Sequence, residues 1–378
     1  MKAVMHRAVL ALVVASLFAA MPSKAEDLRD GGVGAVFVMT NSAERNAIVS
    51  FRRNEDGSLE RVRTFGTGGR GTGGVTDPLE SQGSLALSKD HQLLFAVNGG
   101  SGEISVFKVR GTNLFRVDKK ASGGAEPNAI AQFGNLVYVL NVGGSSNIVG
   151  FRLSTEGTLK QIPNSTRFLT TNNSEAAAIA FAPDGRFLVV TERATNNIDV
   201  FEVQGDGTLS PIIVNNSSVP GVFSVAFSPF GAAIVSETGP AGGSNASTIS
   251  SYAIAEDGTL APISTGVPTL GNANCWNVVT PNGQFVYASN AGSSSIAGFS
   301  IDPSGLLTPV GPTVVGTNPS GSTNLDLAIS GDGKFLYSLN SGTGTIGVFG
   351  VQKDGSLLNL GQITGLSANA GLNGIAAF

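Results

Sequence analysis

Two glutamates hold matching positions in successive repeats of the chain, where they could carry acid–base chemistry. Glu192 and Glu237 each follow an apolar run and one small polar residue, in VVTE and IVSE. Two carboxylates that converge can act as a general acid and a general base, or can bind a divalent cation. Arg193 and Asp326 are candidates to assist them. The alternative is that both glutamates are solvated residues at the start of loops.

The scarcity of histidine and cysteine excludes several catalytic classes. The chain has two histidines, His6 and His91, and one cysteine, Cys275. The first histidine falls in a predicted signal peptide, and the second stands in a Lys-Asp-His-Gln turn. A Ser-His-Asp or Cys-His nucleophile is therefore excluded, and so is a zinc site with its usual ligands. We expect no cofactor.

A repeated strand pattern must position the candidate residues. The stretch Ala178–Phe201 reads as strand, Pro-Asp-Gly turn, strand, loop and strand, which is typical of an antiparallel meander. The second strand of each repeat ends at a small polar residue, and these are Asn41, Asn98, Asn141, Thr191, Ser236, Asn290 and Asn340. A period of about 50 residues with four short strands per unit predicts an all-β fold, the β-propeller. Seven units are visible, so we predict seven blades.

The two ends of the pattern predict how the ring closes. Ala35–Met39 is an apolar run that lacks a preceding first strand, and Gly374–Phe378 resembles a first strand with no blade after it. Joining the two completes a seventh blade, with the C-terminal strand innermost, and leaves no free sheet edge. We therefore predict one domain over residues 26–378, which needs no partner to cover its edges and is expected to be a monomer.

The propeller geometry predicts which residues surround the channel. Loops that enter first strands and loops that leave second strands open on one face. Residues on these loops are predicted to contact substrate there: Gln82, Asn128, Glu175, Asn274, Trp276, Asn324 and Asn373. Two glycine-rich loops, Gly66–Gly83 and Thr238–Ser247, border this face as lids or as plain connections. Ca²⁺ or Mg²⁺ on the channel axis is an open alternative to a metal-free channel.

The first 25 residues have the features of a secretory signal peptide. Lys2 and Arg7 precede the apolar run Ala8–Ala20, and Ser23–Ala25 offers small residues for cleavage. We predict cleavage after residue 25 and export to the periplasm or the medium. Removal of three cations leaves 23 − 3 = 20 against 27 acids, a net charge of −7. This acidic balance argues against nucleic acid and membrane as partners.

One repeat block also carries a family resemblance. The residues that carry it are Phe181, Pro183, Asp184, Gly185, Arg186, Val190, Glu192, Asn197 and Ile198. With these residues the chain resembles the lactonase-type seven-bladed propellers, which include 6-phosphogluconolactonase and carboxymuconate-lactonising enzymes. The resemblance implies a sugar-acid or muconate-type lactone as substrate and Glu192 as the base. The family's Arg-His pair corresponds to Ala177 and Ala178 here, and Arg193 is expected to point outward if the strand continues past Glu192.

A second resemblance keeps a non-catalytic alternative open. Tyr138–Asn141 and Tyr337–Asn340 are similar to the repeats of surface-associated YVTN propellers, which are mainly binding or structural modules. The sequence therefore supports two functions. One is an exported lactonase or lactonising enzyme that acts on a small carbohydrate or organic-acid lactone. The other is a binding or scaffold propeller with an exported protein partner.

Overall fold

Seven antiparallel sheets, six with four strands and one with a short fifth strand, make up the computed structural model, which describes residues 34–378. The predicted signal peptide lies outside these residues. The sheets are the blades of an all-β propeller, so the predicted fold class and blade number are confirmed. Within the described residues, no helix has the length and apolar character needed to cross a membrane.

The first three blades follow the chain from its first described residue. Blade 1 contains β1 (Gly34–Met39), β2 (Ala47–Arg53) and β3 (Leu59–Gly66). Blade 2 contains β4 (Leu85–Leu87), β5 (Leu93–Asn98), β6 (Glu103–Arg110) and β7 (Asn113–Ala121). Blade 3 contains β8 (Ala125–Phe133), β9 (Leu136–Gly143), β10 (Asn147–Leu153), β11 (Leu159–Gln161) and the short β12 (Arg167–Phe168).

The remaining blades repeat the same order. Blade 4 contains β13 (Ala176–Phe181), β14 (Phe187–Glu192), β15 (Asn197–Glu202) and β16 (Ile213–Asn216). Blade 5 contains β17 (Val222–Phe227), β18 (Ala233–Glu237), β19 (Thr248–Ile254) and β20 (Leu260–Pro268). Blade 6 contains β21 (Asn274–Val279), β22 (Phe285–Asn290), β23 (Ser295–Ile301) and β24 (Leu307–Thr317). Blade 7 contains β25 (Asn324–Ile329), β26 (Phe335–Asn340), β27 (Thr345–Val351) and β28 (Leu357–Ile363). Two short 3₁₀ turns, Gly99–Ser101 and Ala291–Ser293, follow β5 and β22.

The ring closes as the sequence predicts. The last strand, β29 (Ile375–Ala377), pairs antiparallel with β1, with Val38 opposite Ile375, and is the innermost strand of blade 1. The Phe378 N–H also donates to the Ala35 carbonyl at 3.0 Å. Both ends of the propeller are therefore held in one sheet, which leaves blade 1 without an unpaired inner edge.

The repeated Asp-Gly-Ser/Thr turns seal the joints between blades. Gly57, in the turn of blade 1, has φ 84°, a left-handed conformation that glycine adopts without steric cost. A Cβ at this position would stand 2.3 Å from Phe335 of blade 7. The Tyr337 hydroxyl donates to the Gly57 carbonyl at 3.1 Å. The glycine thus lets each turn lie flat on the preceding blade, which explains why the motif recurs.

The strand register corrects the alignment of the repeats by one residue. Asn98 pairs with Glu103, and Asn290 pairs with Ser295, at the end of the second strand. The residues in the same register in blades 4 and 5 are Glu192, opposite Asn197, and Glu237, opposite Thr248. The sequence alignment placed Thr191 and Ser236 there. The two glutamates therefore occupy the buried strand-end position that asparagine occupies in other blades, and they do not lie in the loops that follow.

Candidate functional site

The connection between β3 and β4 crosses the channel. The Gln82 N–H donates to the Ala177 carbonyl of blade 4 at 2.8 Å. The Gln82 side chain exchanges two hydrogen bonds with the Asn277 backbone of blade 6, at 2.8 and 3.1 Å, and the Trp276 indole N–H donates to the Ser81 carbonyl at 3.0 Å. Neither blade adjoins blade 2, so the segment bridges across the ring. This end of the first glycine-rich loop fills the channel and is not a lid above it.

Arg193 lies at the mouth of this filled channel. Its guanidinium forms ion pairs with Glu80 and with Glu175, the latter at 3.8 Å, and stands 5.4 Å from the centre of the Phe223 ring. The Arg193 side chain keeps 27% of its surface exposed. The expectation that it points outward is wrong, because β14 ends at Glu192 and the strand alternation stops there. A cation is thus present at the mouth, beside two acidic side chains.

Two carboxyl groups lie next to the mouth. Asp77 accepts a hydrogen bond from the Asn373 amide at 2.9 Å, and burial raises the pKa of its carboxyl to about 7. Asp326 accepts the backbone N–H groups of Leu327 and Ile375 at 2.9 and 3.1 Å, and burial raises its pKa to about 7 as well. The negative charge of Glu80 also raises the pKa of Asp77, and that of Asp77 raises the pKa of Asp326, because like charges disfavour ionisation. Both groups therefore titrate near neutral pH.

Glu192 does not reach the mouth. Its side chain is fully buried between blades 3 and 4, where it accepts the Thr170 N–H at 2.8 Å, the Thr170 hydroxyl, and the Thr195 hydroxyl at 2.6 Å. The pKa of Asp199 is raised to about 9, mainly by burial. The hydrogen bond to Glu192 and the negative charge of Glu192 raise it further. Asp199 is therefore protonated at neutral pH in the folded chain.

Glu237 occupies a different seam. It is fully buried, accepts the Thr248 hydroxyl at 2.8 Å and lies near Ser217 of the connection from blade 4. Burial raises the pKa of its carboxyl to about 7. The expectation that Glu192 and Glu237 converge at the mouth is wrong, because the one-residue correction turns both side chains into the joints on either side of blade 4.

The predicted channel residues divide into two groups. Gln82, Glu175, Trp276 and Asn373 lie in or beside the channel segment, as the contacts above show. Three buried asparagines instead clamp neighbouring blades through Nδ2: Asn128 to the Ala176 carbonyl at 2.8 Å, Asn274 to the Thr248 carbonyl at 2.6 Å, and Asn324 to the Ser289 hydroxyl at 2.6 Å. These asparagines join first strands to the next or preceding blade, so the substrate contacts predicted for them are replaced by structural ones.

Metal-binding residues are sparse around the channel. Over residues 34–378, no group of three or more His, Cys, Asp or Glu side chains is arranged to hold a metal ion. Asp77, Asp326 and Asn373 supply side-chain oxygen atoms beside the channel segment. The axial Ca²⁺ or Mg²⁺ therefore stays a prediction that would rest on these three. Cys275 is buried, and burial raises the pKa of its thiol, so it is not a reactive thiolate.

Sequence reasoning missed two of the carboxyl groups. Asp77 follows the glycine-rich run and precedes Pro78, and no repeat alignment marks it as a channel residue. Asp199 stands within the apolar strand Ile198–Phe201. A single acidic residue among apolar ones was the only sequence signal that its carboxyl group is buried. Its partner could not be identified before the register of the repeats was corrected.

Comparison with known proteins identifies the kind of propeller. The sequence matches the family described as "Lactonase, 7-bladed beta-propeller" over residues 134–275 and 243–370. A Bacteroides uniformis protein provisionally named a 6-phosphogluconolactonase is 20% identical, with a TM-score of 0.66 over 91% of this chain and 99% of that one. A periplasmic gluconolactonase from Pseudomonas aeruginosa is 17% identical, with a TM-score of 0.66 over 90% and 99%. No curated protein sequence matches the chain significantly. At these identities the solved structures establish the fold.

Proposed function

Because this chain belongs to the lactonase family of seven-bladed β-propellers, we propose that it is an exported hydrolase that opens a lactone ring at the channel mouth. One observation carries the proposal: a partly exposed arginine, Arg193, lies next to a carboxyl group, Asp77, that titrates near pH 7. The pair supplies a positive charge and a base, the two elements that ester hydrolysis requires.

The proposed reaction uses Asp77 as the base. Water attacks the lactone carbonyl, Asp77 takes its proton, and the carbonyl oxygen becomes an oxyanion. The ring C–O bond then breaks and the proton passes to the departing ring oxygen, which leaves a hydroxy acid. A base whose pKa is near the working pH suits this step, because a large fraction is ionised while proton transfer stays favourable. The sequence predicted Glu192 as the base, but a fully buried carboxylate cannot meet substrate.

Arg193 is proposed to stabilise the oxyanion. The residues that match the family's Arg-His pair are Ala177 and Ala178, so neither supplies a cation. Arg193 reaches the mouth from the end of β14 instead, and its guanidinium lies over Phe223 at the start of the next innermost strand. Glu80 and Glu175 act as positioning residues that hold the guanidinium, and the aromatic ring limits how far it can move.

The charge of the mouth indicates which lactones would fit. Three acidic side chains surround the single cation at the mouth: Glu80 and Glu175 form ion pairs with Arg193, and Asp77 lies beside them. The exposed Glu126 lies within β8, one residue before Pro127, and matches the register position of Glu175, one residue before Ala176. An anionic lactone, phosphorylated or carboxylated, would be repelled by this acidic rim. We therefore propose an uncharged sugar lactone as the substrate class.

A hydrolysis assay with two adjacent variants tests the proposal. Purified protein from residue 26 onward is assayed on glucono-δ-lactone, 6-phosphogluconolactone and muconolactone. Arg193→Gln should lower kcat/KM by about 100-fold or more, as expected for loss of an oxyanion donor. Glu192→Gln should keep most of the activity, because Glu192 is buried. Activity that survives Arg193→Gln but disappears in Glu192→Gln, with both variants folded, would reject the proposed site.

A non-catalytic binding propeller is the second candidate. It is favoured by the two ion pairs that neutralise Arg193 and by the segment that fills the channel. This alternative predicts no turnover of any lactone in the panel. The residues of the mouth would then serve as a surface for an exported partner.

A further inference from the structure

A long groove opens between blades 2 and 3, on the face opposite the channel mouth. Its volume is about 960 Å³, within the range of ligand sites. It is bordered by the β4–β5 turn, the end of β6, the β8–β9 turn and the residues after β10. Leu93, Val109 and Leu153 form an apolar floor, and the half-buried Phe133 stands at one side.

Three cations line this groove in a chain that is otherwise acidic. Lys89, Lys108 and Arg110 border it, and among the described residues none of the three has an ion-pair partner within 4.0 Å. Two carboxylates are near. Asp90 is occupied by the Ser88 hydroxyl at 2.6 Å and a backbone N–H, and Glu156 acts on Lys108 only at longer range. The local balance is positive.

The grooves at two other blade joints are smaller, and each contains a cation that is held in an ion pair. The groove over blades 4 and 5 has a volume of about 530 Å³, and its arginine, Arg186, pairs with Glu202 at 3.7 Å. The groove over blades 6 and 7 has about 340 Å³, and Lys334 pairs with Asp332 at 3.9 Å. The groove between blades 2 and 3 is larger than both. Within the described residues its cations form no ion pair, although the Arg110 guanidinium stands 5.5 Å from the centre of the Phe115 ring.

We propose that this groove binds a carboxylated sugar chain. Lys108 and Arg110 are two residues apart on β6, which places them on one side of the strand about 7 Å apart, so they can meet successive acidic groups. Arginine can bind a carboxylate through two N–H groups, and lysine acts as a point charge. Phe133, which packs against Phe181 and the Gly185 turn, lines the groove with the remainder of its ring and gives a sugar an apolar contact. Asn135 accepts a hydrogen bond from Arg152 through Oδ1 at 3.0 Å. Its Nδ2 group donates to no other described residue and can donate to a sugar hydroxyl.

The proposal does not depend on lactone hydrolysis. The groove and the mouth lie on opposite faces of the ring, so a loss of binding in the groove leaves Arg193 and Asp77 intact. Oligogalacturonate is the probe, with neutral dextran and dextran sulfate as comparison ligands, and the readout is the Kd by calorimetry at low and moderate salt.

The test variant is Lys108→Gln with Arg110→Gln. The matched control is Lys334→Gln with Lys353→Gln, which removes the same charge from the smaller groove over blades 6 and 7. We expect oligogalacturonate to bind, to bind more weakly with added salt, and to lose at least tenfold in affinity only in the test variant. An equal loss in the control, equal binding of neutral dextran, binding of dextran sulfate alone, or no binding at low salt would each overturn the proposal.

Discussion

Replacing Asp199 by asparagine should stabilise the protein at neutral and alkaline pH. Burial beside Glu192 raises the pKa of Asp199 from 3.8 to about 9, so the folded chain holds a proton that the unfolded chain releases above pH 4. A carboxyl group whose folded pKa is raised contributes most below its unfolded pKa, and stability falls as pH rises toward the folded pKa. Asparagine is neutral at all these pH values and can still donate to Glu192.

The size of the effect follows from the shift. At pH 7 the Asp199 carboxyl is ionised in the unfolded chain and must bind a proton when the chain folds. Because pH 7 is 7 − 3.8 ≈ 3 units above the unfolded pKa, this protonation lowers the free energy of unfolding by about 4 kcal/mol at 1.36 kcal/mol per unit. Relaxation of the seam lowers this figure, so we expect a gain on the order of 2–4 kcal/mol at pH 7 for Asp199→Asn. At pH 4 the gain should be close to zero.

Urea unfolding at pH 4, 7 and 9 measures this gain. The matched control is Asp206→Asn, in an exposed turn where hydrogen bonds from Thr208 lower the pKa of the carboxyl. Asp206→Asn should be less stable than the wild type above pH 4, whereas Asp199→Asn should be more stable. A wild-type stability that is flat from pH 4 to 9, or an Asp199→Asn variant that is less stable at pH 9, would refute a protonated Asp199 in the folded chain.

Two further substitutions test other parts of the fold. Glu237→Gln should raise the midpoint of urea unfolding at pH 8 and leave it unchanged at pH 4, because burial raises the pKa of Glu237 to about 7. A lower midpoint at pH 8 would contradict this expectation. Gly57→Ala should cost roughly 1–3 kcal/mol, measured by the same method, because φ is 84° and the new Cβ would stand 2.3 Å from Phe335; a cost below about 0.5 kcal/mol would contradict the role of the turn.

The sequence predicts the ring better than it predicts the site. Blade number follows from strand pairs that recur in seven units and from repeated Asp-Gly turns, and closure follows from one unmatched strand at each end. The site depends on register. Because side chains alternate with a period of two, one residue of misalignment at Thr191 moved Glu192 from the seam to the mouth.

The channel segment marks the second limit of the sequence. Gln82 contacts Ala177 and Asn277, in blades that are not its neighbours in the ring. No repeat pattern encodes a contact across the axis, so the segment resembles a flexible loop in the sequence. The direction of Arg193 was predicted wrongly for a related reason: strand alternation predicts a direction only while the strand continues, and β14 ends one residue earlier.

The pH dependence of lactone hydrolysis tests the central claim most directly. With Asp77 as the base, kcat/KM for glucono-δ-lactone should rise through a midpoint near pH 7, because the pKa of the Asp77 carboxyl is about 7 in the free protein. Asp77→Asn should remove this step and lower kcat/KM by at least 100-fold while the variant stays folded. A wild-type profile that keeps its midpoint in Asp77→Asn would contradict the proposed base.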